Sequence, residues 1–462
     1  MKAVLQLVIQ CEDGAKEVKE ISSINRDILT QGSLGLSLLE SKKINNELQK
    51  CLVEQQIKSF LKGSKNCPSC QQPRALKGYC DLAYRTLFGK VNLKSPRLVN
   101  CKCKKHKHRS FSPLSMILQN RISPELEYME AKWASLMSYG MTAKLLEDVL
   151  PIEVDASSIF KNTHKVSNRI ESELGDEKWT FIDSCPKEWE ELPVPDLPLT
   201  VGIDGGYVHA RDNENRKAGW FEIIVGKSMH ETNKSKRFGY VSTYDNKPKR
   251  KLHDMLINQG MQLNQQITFL SDGAENLRNL QSYLSPQSEH ILDWFHITMR
   301  ITVLKNMAKS LQTPLREEIE PIIEKIKWHL WHGNIFKSLR YFESISDEIE
   351  MSFENRTDKE IKFEKYFSEF QGYITNNQNL IVNYDERYKY GETVSTSFVE
   401  STVNELISKR MVKKQQMRWT QKGAHLLLQV RVKTLNDELK SQFSKWYPEM
   451  GAVNDEIISN AA

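Results

Sequence analysis

The chain has 462 residues, of which 39% are hydrophobic and 27% charged, and its formal net charge is +6. This length predicts two to four domains in a soluble globular protein. Because no apolar run approaches the roughly 18 residues of a membrane span and the N-terminus has no cleavage pattern of a secreted chain, we expect a cytoplasmic protein.

The first part of the chain combines a predicted N-terminal helical region, residues 1–60, with a cysteine-rich region, residues 61–112. Four cysteines form two tight pairs in CPSC and CKC, and they are Cys67, Cys70, Cys101 and Cys103. The run YRTLFGKVNLKSPRLV between them is typical of a β-hairpin. Two cysteine knuckles at the ends of a hairpin predict a zinc ribbon with a structural Zn²⁺. His106 or His108 could replace one thiolate, and free thiols are the alternative.

Residues 121–175 predict three short helices. Ser123 before a proline is a helix-start signal, a second helix is expected over 142–150, and a third after Asp155. The third helix carries basic residues away from its apolar face, namely Lys161, Lys165 and Arg169. This pattern favours a helix-turn-helix DNA-binding region, and a plain helical bundle is the alternative.

A proline-rich linker is predicted over residues 176–198, and strand-like sequences begin after it. LTVGIDGGYVHA, GWFEIIVG and FGYVSTY are strand-like, and strands then alternate with helices. This order is typical of a ribonuclease H-like α/β domain. We assign its first part to residues 199–300, a helical insertion to 301–390, its second part to 391–440 and a C-terminal tail to 441–462.

Two acids follow apolar strand sequences in the same manner. Asp204 in VGIDGG and Asp272 in FLSDGAEN each precede glycine at a predicted strand end. Carboxylates that converge repel each other unless cations lie between them. Two Mg²⁺ ions about 4 Å apart can activate an attacking oxygen and stabilise the leaving oxygen of a phosphodiester. An Asp-Gly turn is the alternative for either acid alone.

A third acid is needed to complete an oxygen cage, and the candidates are Asp293 in LDWFHI and Glu400 in TSFVESTVNELISKRM. Glu400 is favoured because it opens a predicted helix that continues into a basic run. That run, residues 406–422, holds six basic groups and no acid, which suits phosphate backbones. Its predicted DNA contacts are Lys409, Arg410, Lys413, Lys414 and Arg418.

These motifs together resemble the DDE transposases of bacterial insertion sequences, most closely the ISKra group and more loosely the ISL group. The resemblance covers roughly residues 60–440. It implies that Asp204, Asp272 and Glu400 form the catalytic triad and bind two Mg²⁺ (or Mn²⁺) ions. Asp293 and His296 match an acid and histidine, three residues apart, that related enzymes carry, and they are predicted to be auxiliary site residues.

The expected fold class is therefore α+β and multidomain: a zinc ribbon and helix-turn-helix, then a ribonuclease H-like domain with a helical insertion. The resemblance implies binding of double-stranded DNA at terminal inverted repeats and at a target, a homo-oligomeric synaptic complex, and a nucleoid-associated bacterial protein with no membrane partner. Two alternatives stay open: an inactive or domesticated DNA-binding protein, and a nuclease that cuts without joining.

Overall fold

The computed structural model describes residues 1–450 with several gaps. The gaps are residues 11–13, 15, 68, 104–108, 179–185, 190, 194, 196–197, 212–218, 230–233, 285–287, 353–356 and 414–416. The chain forms two compact units: unit 1 comprises Met1–Val166 and Asp437–Ala462, and unit 2 comprises Ser167–Asn436. Among the described residues, no helix has the length and apolar character that crossing a membrane requires.

The elements are numbered in chain order. The strands are β1 (Lys2–Gln10), β2 (Lys16–Asn25), β3 (Leu76–Thr86), β4 (Gly89–Val99), β5 (Ser110–Phe111), β6 (Leu199–His209), β7 (Trp220–Met229), β8 (Arg237–Val241), β9 (Ile267–Ser271) and β10 (Glu289–Leu292). The helices are α1 (Leu38–Gly63), α2 (Leu114–Ile117), α3 (Pro124–Leu136), α4 (Tyr139–Val149), α5 (Ala156–Glu173), α6 (Pro186–Trp189), α7 (Pro248–Gln259), α8 (Glu275–Leu284), α9 (Trp294–Ala308), α10 (Thr313–Trp331), α11 (Ile335–Ser352), α12 (Asp358–Asn376), α13 (Tyr384–Lys389), α14 (Ser397–Val403), α15 (Gln421–Leu435) and α16 (Leu439–Trp446). A π-helical segment, Asn404–Val412, follows α14 directly.

The N-terminal region departs from its prediction. Its first 25 residues form an antiparallel hairpin of β1 and β2, in which Lys2 pairs with Asn25. Side chains along β1 alternate between exposed and half-buried, which is the two-residue period of a strand. The prediction of a helical region over residues 1–60 is therefore wrong up to Asn25. It holds for α1, where Ser37 and Glu40 form a reciprocal capping box.

Unit 1 also contains the three-stranded sheet β3–β4–β5. β3 and β4 are joined by a tight turn at which Thr86 pairs with Gly89. Val91 of β4 packs with Val53 of α1 and Leu114 of α2 in one apolar cluster. This packing fixes the hairpin whose open end carries the cysteine pairs.

Helices α3, α4 and α5 follow the sheet. Ser123 caps α3, its hydroxyl accepting from the Leu126 N–H at 3.4 Å. Asp155 precedes α5 and accepts from the Ser158 N–H at 2.9 Å. The predicted C-terminal tail, residues 441–462, is wrong in its first part, because α16 packs in unit 1 and Phe443 is fully buried. Residues 451–462 lie outside the described residues.

Unit 2 is built on a five-stranded sheet with the order β10-β9-β6-β7-β8. β6, β7 and β8 are antiparallel neighbours, whereas β9 and β10 run parallel to β6. Helices α7 and α8 pack on one face of this sheet in a shared apolar cluster. α14 and α15 contact the opposite face, with Val399 against Gly202 and Leu428 against Gly239. The chain is thus a mixed α/β protein with several sheets.

Helices α9 to α13 lie between β10 and α14 in the chain. They share an apolar core that includes Ile301, Ile323, Phe342 and Phe370. The helical segment begins already at Trp294, before the predicted start at residue 301.

The predicted linker, residues 176–198, is described only in part. It contains the short helix α6, Pro186–Trp189. Residues 179–185, 190, 194 and 196–197 of the linker lie outside the described residues.

Candidate cysteine metal centre and carboxylate site

The four cysteines predicted to bind zinc lie together in unit 1. Their Sγ atoms are all within 4.8 Å of one another. The Sγ atoms of Cys67 and Cys103 are 3.6 Å apart, and those of Cys70 and Cys101 are 3.2 Å apart. Thiolates at about 2.3 Å from a tetrahedral zinc ion are separated by about 3.8 Å. The cluster therefore has the donor set and spacing that could bind Zn²⁺.

The electrostatics of the cysteine cluster also suit a cation. Backbone N–H groups of Cys70 and Ser69 lower the pKa of Cys67 to about 6. Hydrogen bonds with Cys101 and Cys67 raise the pKa of Cys103 to about 12. Four adjacent thiols cannot all ionise without a positive charge between them, and a metal ion supplies that charge. The alternative ligands His106 and His108 lie outside the described residues.

In unit 2, Asp204 and Asp272 lie at matching positions just beyond the paired part of the parallel strands β6 and β9. The prediction that Asp204 ends a strand is wrong, because β6 continues to His209 and Asp204 pairs with Val225 of β7. Asp204 is on β6 and Asp272 follows β9 directly, two positions beyond the paired residues Gly202 and Leu270. The Gly205 N–H donates to Oδ1 of Asp204 at 2.7 Å. The Ala274 N–H donates to Oδ1 of Asp272 at 3.0 Å. Backbone donors therefore orient both carboxylates just beyond the paired part of these two strands.

The turn after Asp272 requires its glycine. Gly273 has φ +81°, and a Cβ there would lie 2.3 Å from Oδ1 of Asn377 and 2.8 Å from Cδ1 of Leu292. A residue with a side chain would be strained there and would displace the side chain of Asn377 or Leu292. The Asp-Gly pair at this strand end is therefore fixed by close packing as well as by the turn.

The surroundings of Asp204 disfavour its charged form. Burial raises the pKa of Asp204, and the charges of Asp272 and Asp293 raise it further, against the lowering effects of the Gly205 N–H and His296. Carboxylates that repel one another in this way gain stability when a cation binds between them. Their oxygen donors are those preferred by Mg²⁺ and Mn²⁺.

Asp293 and His296 lie beside Asp204. Nε2 of His296 is 3.9 Å from Oδ1 of Asp204 and 3.6 Å from Oδ2 of Asp293. Asp293 is fully buried. It caps α9 through the Phe295 N–H at 2.9 Å and accepts from both the N–H and the hydroxyl of Thr396. With its oxygens occupied in this way, Asp293 is poorly placed to act as the third metal-binding acid.

Glu400 lies in the first turn of α14 and is exposed. The helix packs closely on β6, since a Cβ at Gly202 would lie 2.2 Å from Cγ2 of Val399 and one at Gly206 would lie 3.2 Å from Cγ1 of Val403. Gly202 and Gly206 share a strand face with Asp204, because side chains two apart point the same way. α14 therefore carries Glu400 over the face to which Asp204 belongs.

The structure does not bring all three predicted acids into one tight group. Among the described residues, the groups of three or more potential ligands within 4.8 Å of one another are the four cysteines and a second set, Glu171, Asp245 and His425. The predicted triad is not such a group. Asp204 and Asp272 lie at matching positions just beyond the paired part of β6 and β9, and Glu400 lies on the neighbouring helix α14.

The ammonium group of Lys251 already lies beside the acids of this second set. Nζ of Lys251 lies 3.0 Å from Glu171 and 3.1 Å from Asp245, and its side chain is 4% exposed. His425 lies 3.4 Å from Glu171. Burial alone would raise the pKa of Glu171, but His425 and Lys251 hold it below its ordinary value. The ammonium group neutralises these acids, so we assign no metal to them.

The predicted DNA-contacting residues of α5 differ in their exposure. Lys161 and Lys165 are exposed, although Lys165 also lies 3.6 Å from Glu127. Arg169 is half-buried and pairs with Glu173 at 3.1 Å. Glu127 and Glu173 therefore offset part of the positive charge that Lys165 and Arg169 bring to α5.

The second basic run follows α14 and presents several cations to solvent. The exposed side chains are Lys409, Lys413 and Arg418. Lys414 lies outside the described residues. Nζ of Lys413 donates to Oδ1 of Asn404 at 3.0 Å, and all three side chains are exposed to solvent.

The prediction that Arg410 contacts DNA is wrong. Its side chain is fully buried and lies over the ring of Trp419, 5.2 Å from the ring centroid. Arg410 is buried in the same π-helical segment as Leu406 and Ile407. It cannot contact a DNA backbone from there.

Two residues near the site, Glu222 and Thr396, were not predicted from the sequence. Glu222 is a single acid within an apolar strand, and its Oε1 would lie 3.1 Å from a Cβ at Gly205. Burial raises the pKa of Glu222, and the charge of Asp272 raises it further. A single acid in the apolar run GWFEIIVG could have indicated Glu222 as a candidate site residue. Thr396 was not detectable, since nothing in the sequence links it to Asp293.

Comparison with known proteins gives no family. No protein-family profile matches the chain, and no curated protein matches it. A solved crystal structure of NurA is similar over 55% of this chain and 74% of its own, at 14% identity and a TM-score of 0.11. A score this low carries no argument about fold or activity.

Proposed function

We propose that this chain is a DDE transposase that binds the terminal inverted repeats of an insertion sequence and catalyses metal-dependent strand cleavage and strand transfer. The observation that carries the proposal is the placement of Asp204 and Asp272 at matching positions just beyond the paired part of parallel strands β6 and β9, with Nε2 of His296 3.9 Å from Oδ1 of Asp204. The order of unit 2, three antiparallel strands followed by alternating helix and strand, supports a ribonuclease H-like domain.

In this proposal, Asp204, Asp272 and Glu400 would hold two Mg²⁺ or Mn²⁺ ions. Such ions activate a water or a 3′ hydroxyl and stabilise the leaving oxygen of a phosphodiester. The Gly205 and Ala274 N–H groups orient the two aspartates. Glu400, exposed in the first turn of α14, would supply the third acid. No side-chain nucleophile is required, since the attacking oxygen comes from water or DNA.

Two further regions support DNA as the partner. Exposed Lys409 and Lys413 belong to the segment that continues α14, so basic groups and Glu400 follow one another along one element. α5, with Lys161 and Lys165 on its outside, supports a helix-turn-helix that recognises the repeats. The cysteine cluster supports a zinc ribbon with a structural Zn²⁺.

The test is a strand-transfer assay with purified protein, Mg²⁺ and the DNA that flanks the coding region. Transposase activity predicts cleavage at the element end and a joined product with target DNA. Cleavage without joining would instead favour a ribonuclease H-like nuclease. Binding without cleavage would favour an inactive or domesticated DNA-binding protein on the same scaffold.

A further inference from the structure

Thr396 and Asp293 form a buried hydrogen-bonded pair next to the carboxylate site. The Thr396 N–H donates to Oδ1 of Asp293 at 2.9 Å, and the Thr396 hydroxyl donates to Oδ2. Both residues are 0% exposed. The two donors of Thr396 thus satisfy both oxygens of one buried carboxylate, an arrangement that fixes the relative position of two backbone segments.

The pair joins the place where the chain leaves the sheet to the place where it returns. The two residues are 103 positions apart in the chain, separated by helices α9 to α13. The Asp293 N–H donates to the carbonyl of Ser271 at 2.8 Å, the residue before Asp272. Asp293 therefore contacts the strand end that carries the second predicted acid and, through Thr396, the helix that carries the third.

The hydroxyl of Thr396 is used in an unusual way. Thr396 occupies the N-cap position of α14, but its side chain makes no capping hydrogen bond to that helix. A threonine at this position ordinarily accepts a hydrogen bond from the first turn. Here the hydroxyl donates to Asp293, while the Thr396 carbonyl accepts from the N–H groups of Val399 and Glu400 at 2.7 and 3.2 Å.

We infer that Thr396 is a positioning residue: with Asp293, it sets the start of α14 and thereby the place from which Glu400 reaches the metal site. This inference rests on the proposed function. Close packing of Val399 on Gly202 fixes the height of α14 over β6, and the Thr396–Asp293 pair fixes its position along the strand. Asp293 acts through this pair and is not itself a metal ligand.

The experiment compares three variants of the full-length protein. Thr396→Val removes the hydroxyl and keeps the shape, and Thr396→Ser restores a hydroxyl donor. Thr402→Val is the matched control, because Thr402 is a fully buried threonine of the same helix whose hydroxyl donates to the Phe398 carbonyl within that helix. Circular dichroism and thermal melting establish that each variant is folded.

Two measurements do not depend on catalysis. The first is amide hydrogen exchange over residues 396–403, and the second is Mn²⁺ binding followed by the paramagnetic resonance signal of free Mn²⁺. For Thr396→Val we expect faster exchange in α14 and Mn²⁺ affinity lower by about 10- to 100-fold, the usual effect of removing a residue that orients a metal ligand. Thr396→Ser should restore both values, and Thr402→Val should retain wild-type Mn²⁺ affinity.

The inference is overturned if Thr396→Val exchanges and binds Mn²⁺ like the wild type, or if Thr396→Ser fails to restore both values. It is also overturned if the wild type binds no Mn²⁺. A failure of the proposed function is seen separately: wild-type protein that binds Mn²⁺ but neither cleaves nor joins end DNA is not a transposase, and the two measurements still decide the role of Thr396.

Discussion

The cysteine cluster of unit 1 and the carboxylate site of unit 2 are both arranged for cations, but they are assembled differently. The cysteines flank a single hairpin, and all four Sγ atoms lie within 4.8 Å of one another. Asp204 lies on β6, Asp272 directly follows β9, and Glu400 lies on α14. The side chain of Glu400 is exposed and does not form one group with the two aspartates. We therefore call the cysteines the closed cluster, which could hold a structural ion, and the carboxylates the open site, whose acids do not form one tight group.

The largest expected effect is on the closed cluster. Cys67→Ser should release zinc and unfold the ribbon, because structural zinc sites supply on the order of 10 kcal/mol of folding free energy. Metal analysis and weakened binding of end DNA would show this loss. Cys80→Ser is the control, since Cys80 lies on β3 outside the cluster and contacts the Ser95 carbonyl at 3.6 Å. Wild-type protein without zinc would contradict the assignment.

Substitution in the open site should change catalysis and leave folding intact. We expect Asp204→Ala, Asp272→Ala and Glu400→Ala each to lower the cleavage rate by at least about 10³-fold, equivalent to roughly 4 kcal/mol in the barrier. Binding of end DNA should persist. Glu369→Ala, an exposed acid of α12, is the control. Retained cleavage in Glu400→Ala together with loss in Asp293→Ala would show that Asp293 is the third acid.

The group of Glu171, Asp245 and His425 around Lys251 is a third case, in which the lysine side chain supplies the cation. Lys251→Met should leave Glu171 and Asp245 buried without their ammonium partner. Breaking a buried pair in this way costs about 3–5 kcal/mol, measurable by denaturant unfolding. Lys309→Met, at an exposed position, should change stability little. A loss below about 1 kcal/mol would mean that another cation neutralises these acids.

The same difference in assembly decides what could be predicted from sequence. The spacing of the cysteines, the capped starts of α3 and α5 and the end of β9 before Asp272 depend on neighbouring residues, so the sequence pattern indicates them. The continuation of β6 past Asp204 to His209 was not predicted, because the two glycines after Asp204 resemble a strand end. The N-terminal hairpin escapes prediction because its alternation is short and resembles a single apolar run. Burial of Arg410 and the Thr396–Asp293 pair depend on segments far apart in the chain, which no local pattern reveals.

The smallest expected effect concerns the basic residues that follow Glu400. Lys413→Ala should reduce the dependence of log K for DNA binding on log salt concentration by about one, since each lost phosphate contact releases one fewer counterion. Lys409→Ala should act similarly, because both side chains are exposed. Lys359→Ala on α12 should leave the slope unchanged. If Lys413→Ala also leaves it unchanged, this run is a solvated surface, and the DNA must approach the open carboxylate site from another side.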